Sequence, residues 1–225
     1  MDSELCVKFS TQDWRSLSSR LQHGDEAAWI EAISVFERRI KERFLSCINA
    51  LQSADSKHDL ETSHSADADY CVPGFVIMAI CCLLIETIQD FREEVPVDPL
   101  VQGQCTFPNG PCIRPESGTN KRFRSFLHSP AFGQAFSGGV ARSFTSGIRN
   151  GILHNAKTRR WVIWREEPSG AIVAPEQNGF ALNRTLFYKG VKKEFENYLQ
   201  ALRKPENSAL RERFKQRMDR LCEES

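Results

Sequence analysis

The chain has 225 residues, 40% of them apolar and 26% charged, which is the make-up of an ordinary globular protein with enough length for a sizeable core. Its longest apolar run, Phe75 to Ile85, is shorter than a bilayer crossing requires, so no membrane partner is expected. Net charge is only +1, so total charge excludes neither nucleic acid nor protein as a partner, and the distribution of charge has to be read instead.

Met1 to Ser10 mixes acidic, basic and polar residues and does not resemble a signal peptide, so a cytoplasmic setting is expected. In that setting the eight cysteines (Cys6, Cys47, Cys71, Cys81, Cys82, Cys105, Cys112 and Cys222), none in a CxxC pair, are read as reduced thiols. A short helix is expected from Gln12 to Gln22 with Thr11 as its cap, followed by a long amphipathic helix from Asp25 to Gln52. Trp29, Ile33, Phe36, Ile40, Phe44 and Ile48 recur there every three or four residues. Ser53 to Tyr70 is rich in Ser, Asp and His and reads as a mobile acidic loop. Pro73 and Gly74 open a second helix to about Glu93, apolar nearly all round until Glu86 and therefore central to a bundle. The five prolines between Glu94 and Gly118 predict a long surface connection.

Helical pattern returns at Asn120 to Leu127 and at Gly138 to Lys157. Short β-type runs from Trp161 to Arg184, separated by Pro168-Ser169-Gly170 and Gln177-Asn178-Gly179, predict a hairpin or three-stranded ribbon. Trp161 and Trp164 are read as sharing one strand face and packing rather than stacking on bases. Helices then run from Thr185 to Leu202 and, after Pro205, from Ala209 to Glu223. The expected architecture is a mainly α single domain over residues 1–225. It has a helical core at about 25–157 and 185–203, a β insertion at 161–184 and a C-terminal helix at 209–223.

Charge is segregated: Ser117 to Arg165 holds no Asp or Glu, but does hold Lys121, Arg122, Arg124, Arg142, Arg149, Lys157, Arg159, Arg160 and Arg165. A one-sign segment in a near-neutral chain predicts a surface for phosphate or another polyanion. Within it, the helix at 138–157 has an apolar stripe of Val140, Phe144, Ile148 and Ile152. A second, small and polar face carries Ser143, Gly147, Asn150, Gly151 and His154. Two glycines inside a helix cost about 1 kcal/mol each relative to alanine, so close approach of another group is expected there. A ligand and the same helix of a second protomer are the two candidates.

Arg149, Asn150 and His154 are the expected catalytic set. Histidine moves protons near neutrality, arginine holds a phosphate with parallel bonds, and asparagine orients an oxygen or the imidazole. Since RNA supplies its own 2′-hydroxyl nucleophile, this set needs no cofactor or metal and selects RNA over DNA. Arg149 and His154 lie about 140° apart around an α-helix. Either the long arginine curls back or a twofold partner completes the site. Glu86, inside an apolar run, is a candidate to fix the pose of Arg149 or His154. Lys121, Arg122, Arg124, Arg142, Lys157, Arg159 and Arg160 are the expected RNA-backbone contacts.

Arg149-Asn150-Gly151-Ile152-Leu153-His154 resembles the motif of HEPN domains: Arg, a polar residue, three residues, then His. The resemblance extends over the helices from about Asp25 to Lys157 and the helix after Thr185. It implies an up-and-down helical bundle acting as a homodimer through the motif helix. The implied activity is metal-independent RNA cleavage leaving a 2′,3′-cyclic phosphate, in the manner of toxin or anti-phage defence effectors, with a cognate antitoxin or defence-system partner as a candidate restraint. Where the toxin branch paired with nucleotidyltransferase antitoxins has a tyrosine, two residues past the histidine, this chain has Ala156, which argues against that pairing. The alternative function is a non-catalytic HEPN-like module binding RNA, a nucleotide or a protein. A third reading, a metal-binding regulator, would use Cys105 and Cys112.

Overall fold

The computed structural model describes residues 4–61, 73–93, 118–166 and 168–223, with the side chains of 56–61 and of 119 excepted. The connection expected at 94–117, Cys105 and Cys112 within it, and the 62–70 part of the expected acidic loop lie outside the described residues.

The protein is mainly helical with two small sheets. A short antiparallel pair opens the chain, β1 (Glu4–Cys6) with β2 (Phe9–Ser10), a feature the sequence reading did not contain. Helix α1 (Thr11–Leu21) follows, and its cap is Ser10 rather than Thr11. The Ser10 hydroxyl accepts from the Asp13 backbone N–H while the Asp13 carboxylate accepts from the Ser10 backbone N–H, a reciprocal capping box. Thr11 is instead buried as the first helical residue.

Asp25 caps α2 (Glu26–Ile40), which passes through a π-helical turn, Lys41–Leu45, into α3 (Ser46–Glu61). Helix therefore occupies Ser53 to Glu61, where a loop was expected. Polar composition alone did not mark its end, because Asp55 on α3 is drawn in by the buried Arg184 guanidinium. Helix α4 (Pro73–Arg92) is the central element expected: it packs on α3, α5 (Gly118–Leu127), α8 (Arg184–Leu202) and α9 (Ser208–Glu223). Its 20 residues exceed the apolar run seen in the sequence, and by length and composition α4 is sufficient to cross a bilayer. Here its Ile77, Met78, Cys81, Cys82, Leu84, Ile85 and Ile88 are buried among other helices.

The motif region is α6 (Val140–Phe144), a second π-helical turn (Thr145–Arg149) and α7 (Asn150–Asn155). Beyond it, β3 (Trp161–Trp164), β4 (Val173–Glu176) and β5 (Gly179–Asn183) form a sheet in the order β3-β5-β4. β4 and β5 make the expected hairpin around Gln177-Asn178, but β3 runs parallel to β5. Strand alternation puts Trp161 and Trp164 on opposite faces, correcting the expectation that they share one. Trp161 is buried against Phe144 and Phe180, while Trp164 is 44% exposed.

One aromatic-rich core runs through the described residues: Phe36 meets Phe91, Phe195, Tyr198 and Phe214, and Phe144 meets Phe123, Phe136 and Phe187. The second cluster holds the back of the motif region, since Phe144 and Ile148 are both fully buried there.

Candidate functional site

Ser143, Gly147 and Gly151 recur every four residues and do form one small face. That face is covered by the chain's own segment 157–161, which answers the question left open between a ligand and a second protomer. A β-carbon on Gly151 would lie 2.3 Å from the Lys157 carbonyl oxygen. One on Gly147 would lie 2.7 Å from the Arg159 carbonyl oxygen and 2.6 Å from the Trp161 ring. The Lys157 and Arg159 N–H groups donate to the Gly151 and Gly147 carbonyls, and the Trp161 indole N–H donates to the Ser143 hydroxyl at 3.1 Å. The turn that allows this reversal is at Ala156, in the left-handed region with φ 51°. The position two residues past His154 is thus the hinge of the reversal.

With that face occupied, Asn150 and His154 sit beside it and meet Arg149 within one chain. Arg149 ends the π turn and begins α7, and its guanidinium curls toward the C-terminal end of the helix. Its Nη1 donates to Asn150 Oδ1 at 3.0 Å and lies 3.2 Å from His154 Nε2. Because guanidinium nitrogens only donate, a hydrogen bond across this contact has His154 Nε2 as its acceptor. His154 is exposed and its ring turns to Arg149, so it does not serve as a cap on the carbonyls of its own helix end. Asn155 reaches back instead, donating to the Asn150 carbonyl at 3.3 Å.

The other edge of the guanidinium is held by Glu86 of α4. Nε and Nη2 both approach Glu86 Oε1, at 2.7 and 2.6 Å. The pair is partly buried, with side-chain exposures of 17% for Arg149 and 25% for Glu86, so it is screened less than a surface pair. Behind Glu86, burial pushes the Cys82 thiol well above its ordinary range, with the nearby Cys81 and Glu86 adding to the effect. Cys82 is thus an inert core residue and not a nucleophile.

The expected phosphate contacts separate into groups. Lys157, Arg159 and Arg160 are exposed on the segment that covers the motif helix, and Arg142 and Lys121 are exposed on α6 and α5. Arg124 is half-buried. Arg122 is engaged in the fold: it bridges Asp90 of α4 and Glu93 just past its end, at 2.5 and 2.8 Å, and so ties α5 to the C-terminal end of α4. Its guanidinium is therefore a packing group rather than a free phosphate contact. Among the described residues no group of three or more His, Cys, Asp and Glu side chains converges as a metal site. Trp164 is the exposed aromatic that the sequence reading packs inward, and its exposure follows from strand phase. Counting two residues from buried Trp161 would have put Ile163 on the inner face and Trp164 outside.

Compared with protein-family models, characterised proteins and solved structures, the chain matches none.

Proposed function

We propose that this chain is a HEPN-like endoribonuclease that cleaves RNA without a metal, in the manner of a toxin or anti-phage effector. One observation carries the reading: Arg149, Asn150 and His154 converge in a single chain, with Nη1 of the arginine 3.2 Å from the imidazole nitrogen and a carboxylate fixing the arginine from behind.

In this reading His154 Nε2, which carries a free lone pair once Arg149 swings to a phosphate, takes the proton of the 2′-hydroxyl. The 2′-oxygen attacks the adjacent phosphorus, the bond from phosphorus to the 5′-oxygen breaks, and that oxygen leaves with a proton from solvent. The products are a 2′,3′-cyclic phosphate and a 5′-hydroxyl. Arg149 stabilises charge gathering on the phosphoryl oxygens, and Asn150 orients the site. Lys157, Arg159, Arg160, Arg142 and Lys121 hold the backbone on either side. A homodimer remains part of the proposal, but it cannot use the glycine face, so the second protomer meets the His154 side of α7.

The second reading, a non-catalytic module, has one observation in its favour. Glu86 already takes the Nε and Nη2 edge of Arg149, the edge best suited to grip a phosphate with two parallel bonds. RNA cleavage in EDTA by wild type, Arg149→Ala and His154→Ala separates the two. Cleavage by wild type alone, ending in cyclic phosphate, supports the nuclease. Binding of RNA by all three with no cleavage by any form supports the module, and equal cleavage by all three defeats the assignment of the site.

A further inference from the structure

Along α4, about a turn beyond Glu86, lies a cavity of about 160 Å³ lined by Arg39, Ile40, Arg43, Phe44, Thr87, Asp90, Phe91, Arg217 and Leu221. That is room for several water molecules, and hence for a phosphate group with a short body attached. We propose that this cavity is a binding site for a small phosphomonoester, seated by Arg39, Arg43 and Arg217.

The charge balance argues for an anion. Arg39 and Arg43 have no carboxylate partner among the described residues; both donate to the Leu5 carbonyl, at 2.6 and 3.5 Å. Burial and the neighbouring Arg43 charge hold Arg39 below its ordinary range, the signature of a cation crowded by another cation without a counter-ion. Arg217 reaches Asp90 only at 3.6 Å, and Asp90 is already held at 2.5 Å by Arg122. Arg122 also pairs with Glu93. Four arginines against two carboxylates leave two positive charges around the cavity, which matches a phosphomonoester dianion. The Nε of Arg217 is buried and has no hydrogen-bond partner, so this wall contains a donor in want of an acceptor.

The rest of the lining selects the body of the ligand. Ile40, Phe44, Phe91 and Leu221 make one side apolar, with Phe91 and Ile40 almost fully buried. Apolar walls with a few convergent polar groups are the usual make-up of a small-molecule site. A π-helical turn widens a helix locally and is frequent at functional sites. The turn Lys41–Leu45 carries both Arg43 and Phe44 to the rim.

The inference does not rest on the nuclease reading, because its test is binding by the full chain. Isothermal titration with phenyl phosphate is expected to saturate at one per chain and to be reversed by inorganic phosphate. Affinity should fall at least tenfold in Arg43→Gln and in Arg217→Gln, and be unchanged in Arg149→Ala. Arg43 is exposed, so its variant is expected to fold, and circular dichroism verifies this. Arg217→Lys, which keeps the charge, should retain part of the affinity lost in Arg217→Gln. The proposal is overturned by no saturation up to about 10 mM, too weak for a built site. It is equally overturned if binding survives in Arg43→Gln and Arg217→Gln but is lost in Arg149→Ala, or if a short RNA displaces phenyl phosphate from the wild type.

Discussion

Two π-helical turns lie against the same central helix α4, Lys41–Leu45 and Thr145–Arg149. Both bring arginine to α4, but α4 answers them differently. Toward Thr145–Arg149 it presents Glu86, which takes the Arg149 guanidinium by two donors, and His154 and Asn150 complete the set. Toward Lys41–Leu45 it presents Thr87 and Asp90, and Asp90 is occupied by Arg122 and Arg217, so Arg39 and Arg43 have no counter-ion among the described residues. The same residue type is therefore held by a carboxylate beside a histidine in one place and has no carboxylate partner among the described residues in the other. What differs is one carboxylate and one histidine.

Removing those two groups breaks the comparison most severely. His154→Ala and Arg149→Ala are each expected to lower RNA cleavage by about 10² to 10⁴; the exposed His154 can be removed with little change in melting temperature, whereas Arg149→Ala lowers it by leaving Glu86 without its cation. Single-turnover cleavage with end-labelled RNA reads this. Glu86→Gln retains a neutral partner of the same shape, and a roughly ten- to hundredfold fall in kcat with little change in KM is expected if Glu86 positions Arg149. An unchanged kcat would leave Glu86 a packing group only.

Gly151→Ala tests the covering of the motif helix. The added carbon would meet the Lys157 carbonyl at 2.3 Å, and the clash outweighs the better helix propensity of alanine. A loss of about 1–3 kcal/mol in denaturant unfolding is expected, with cleavage falling too as 157–161 lifts. Trp164→Ala should change stability by no more than about 0.5 kcal/mol, because the ring is 44% exposed. If RNA bases stack on it, the same variant weakens RNA binding measurably, and unchanged binding would make Trp164 a bystander.

The smallest effect is alkaline. Burial raises the Cys222 thiol from 9.0 to about 11, and the Tyr188 hydroxyl from 10.0 to about 12. Both groups are neutral in either state below pH 9, so their contribution is fully present there. As pH rises the unfolded chain ionises first, and stability is lost until the folded groups ionise near pH 11 to 12. Melting temperature should decline across that window, less steeply in Cys222→Ala.

Much of this was legible in the sequence where one physical signal dominated. The apolar faces of α2 and α4 and the spacing of Phe144 and Ile148 gave helices and buried faces that the structure contains. The meeting of Arg149 with Glu86 rested on a weaker hint, a carboxylate in an apolar run that needed a partner. What stayed hidden depended on distant neighbours. Ser53 to Glu61 looks like a loop until Arg184, far along the chain, gives Asp55 a partner. The glycine face looks like an interface until the chain is seen to turn at Ala156 and lie over it. The π turns escape sequence reading because apolar spacings of three and four residues pass for an α-helical stripe whether or not a residue is inserted. The parallel pairing of β3 with β5 could not be read from turn residues, because it involves no turn between them.

The π turn at Thr145–Arg149 also bears on how such a site is acquired. A π turn closes each hydrogen bond one residue later than an α turn, so it stores one residue more than a regular helix of the same span. Deleting a single codon, for instance that of exposed Ser146, would let the helix close up in α form. Everything on one side of the deletion would then rotate by about 100° relative to the other. Phe144 and Arg149 could not both keep their partners. The phase of the motif thus depends on that one extra residue, and a chain shortened by it would carry the same Arg and His letters in a helix where they no longer meet Glu86.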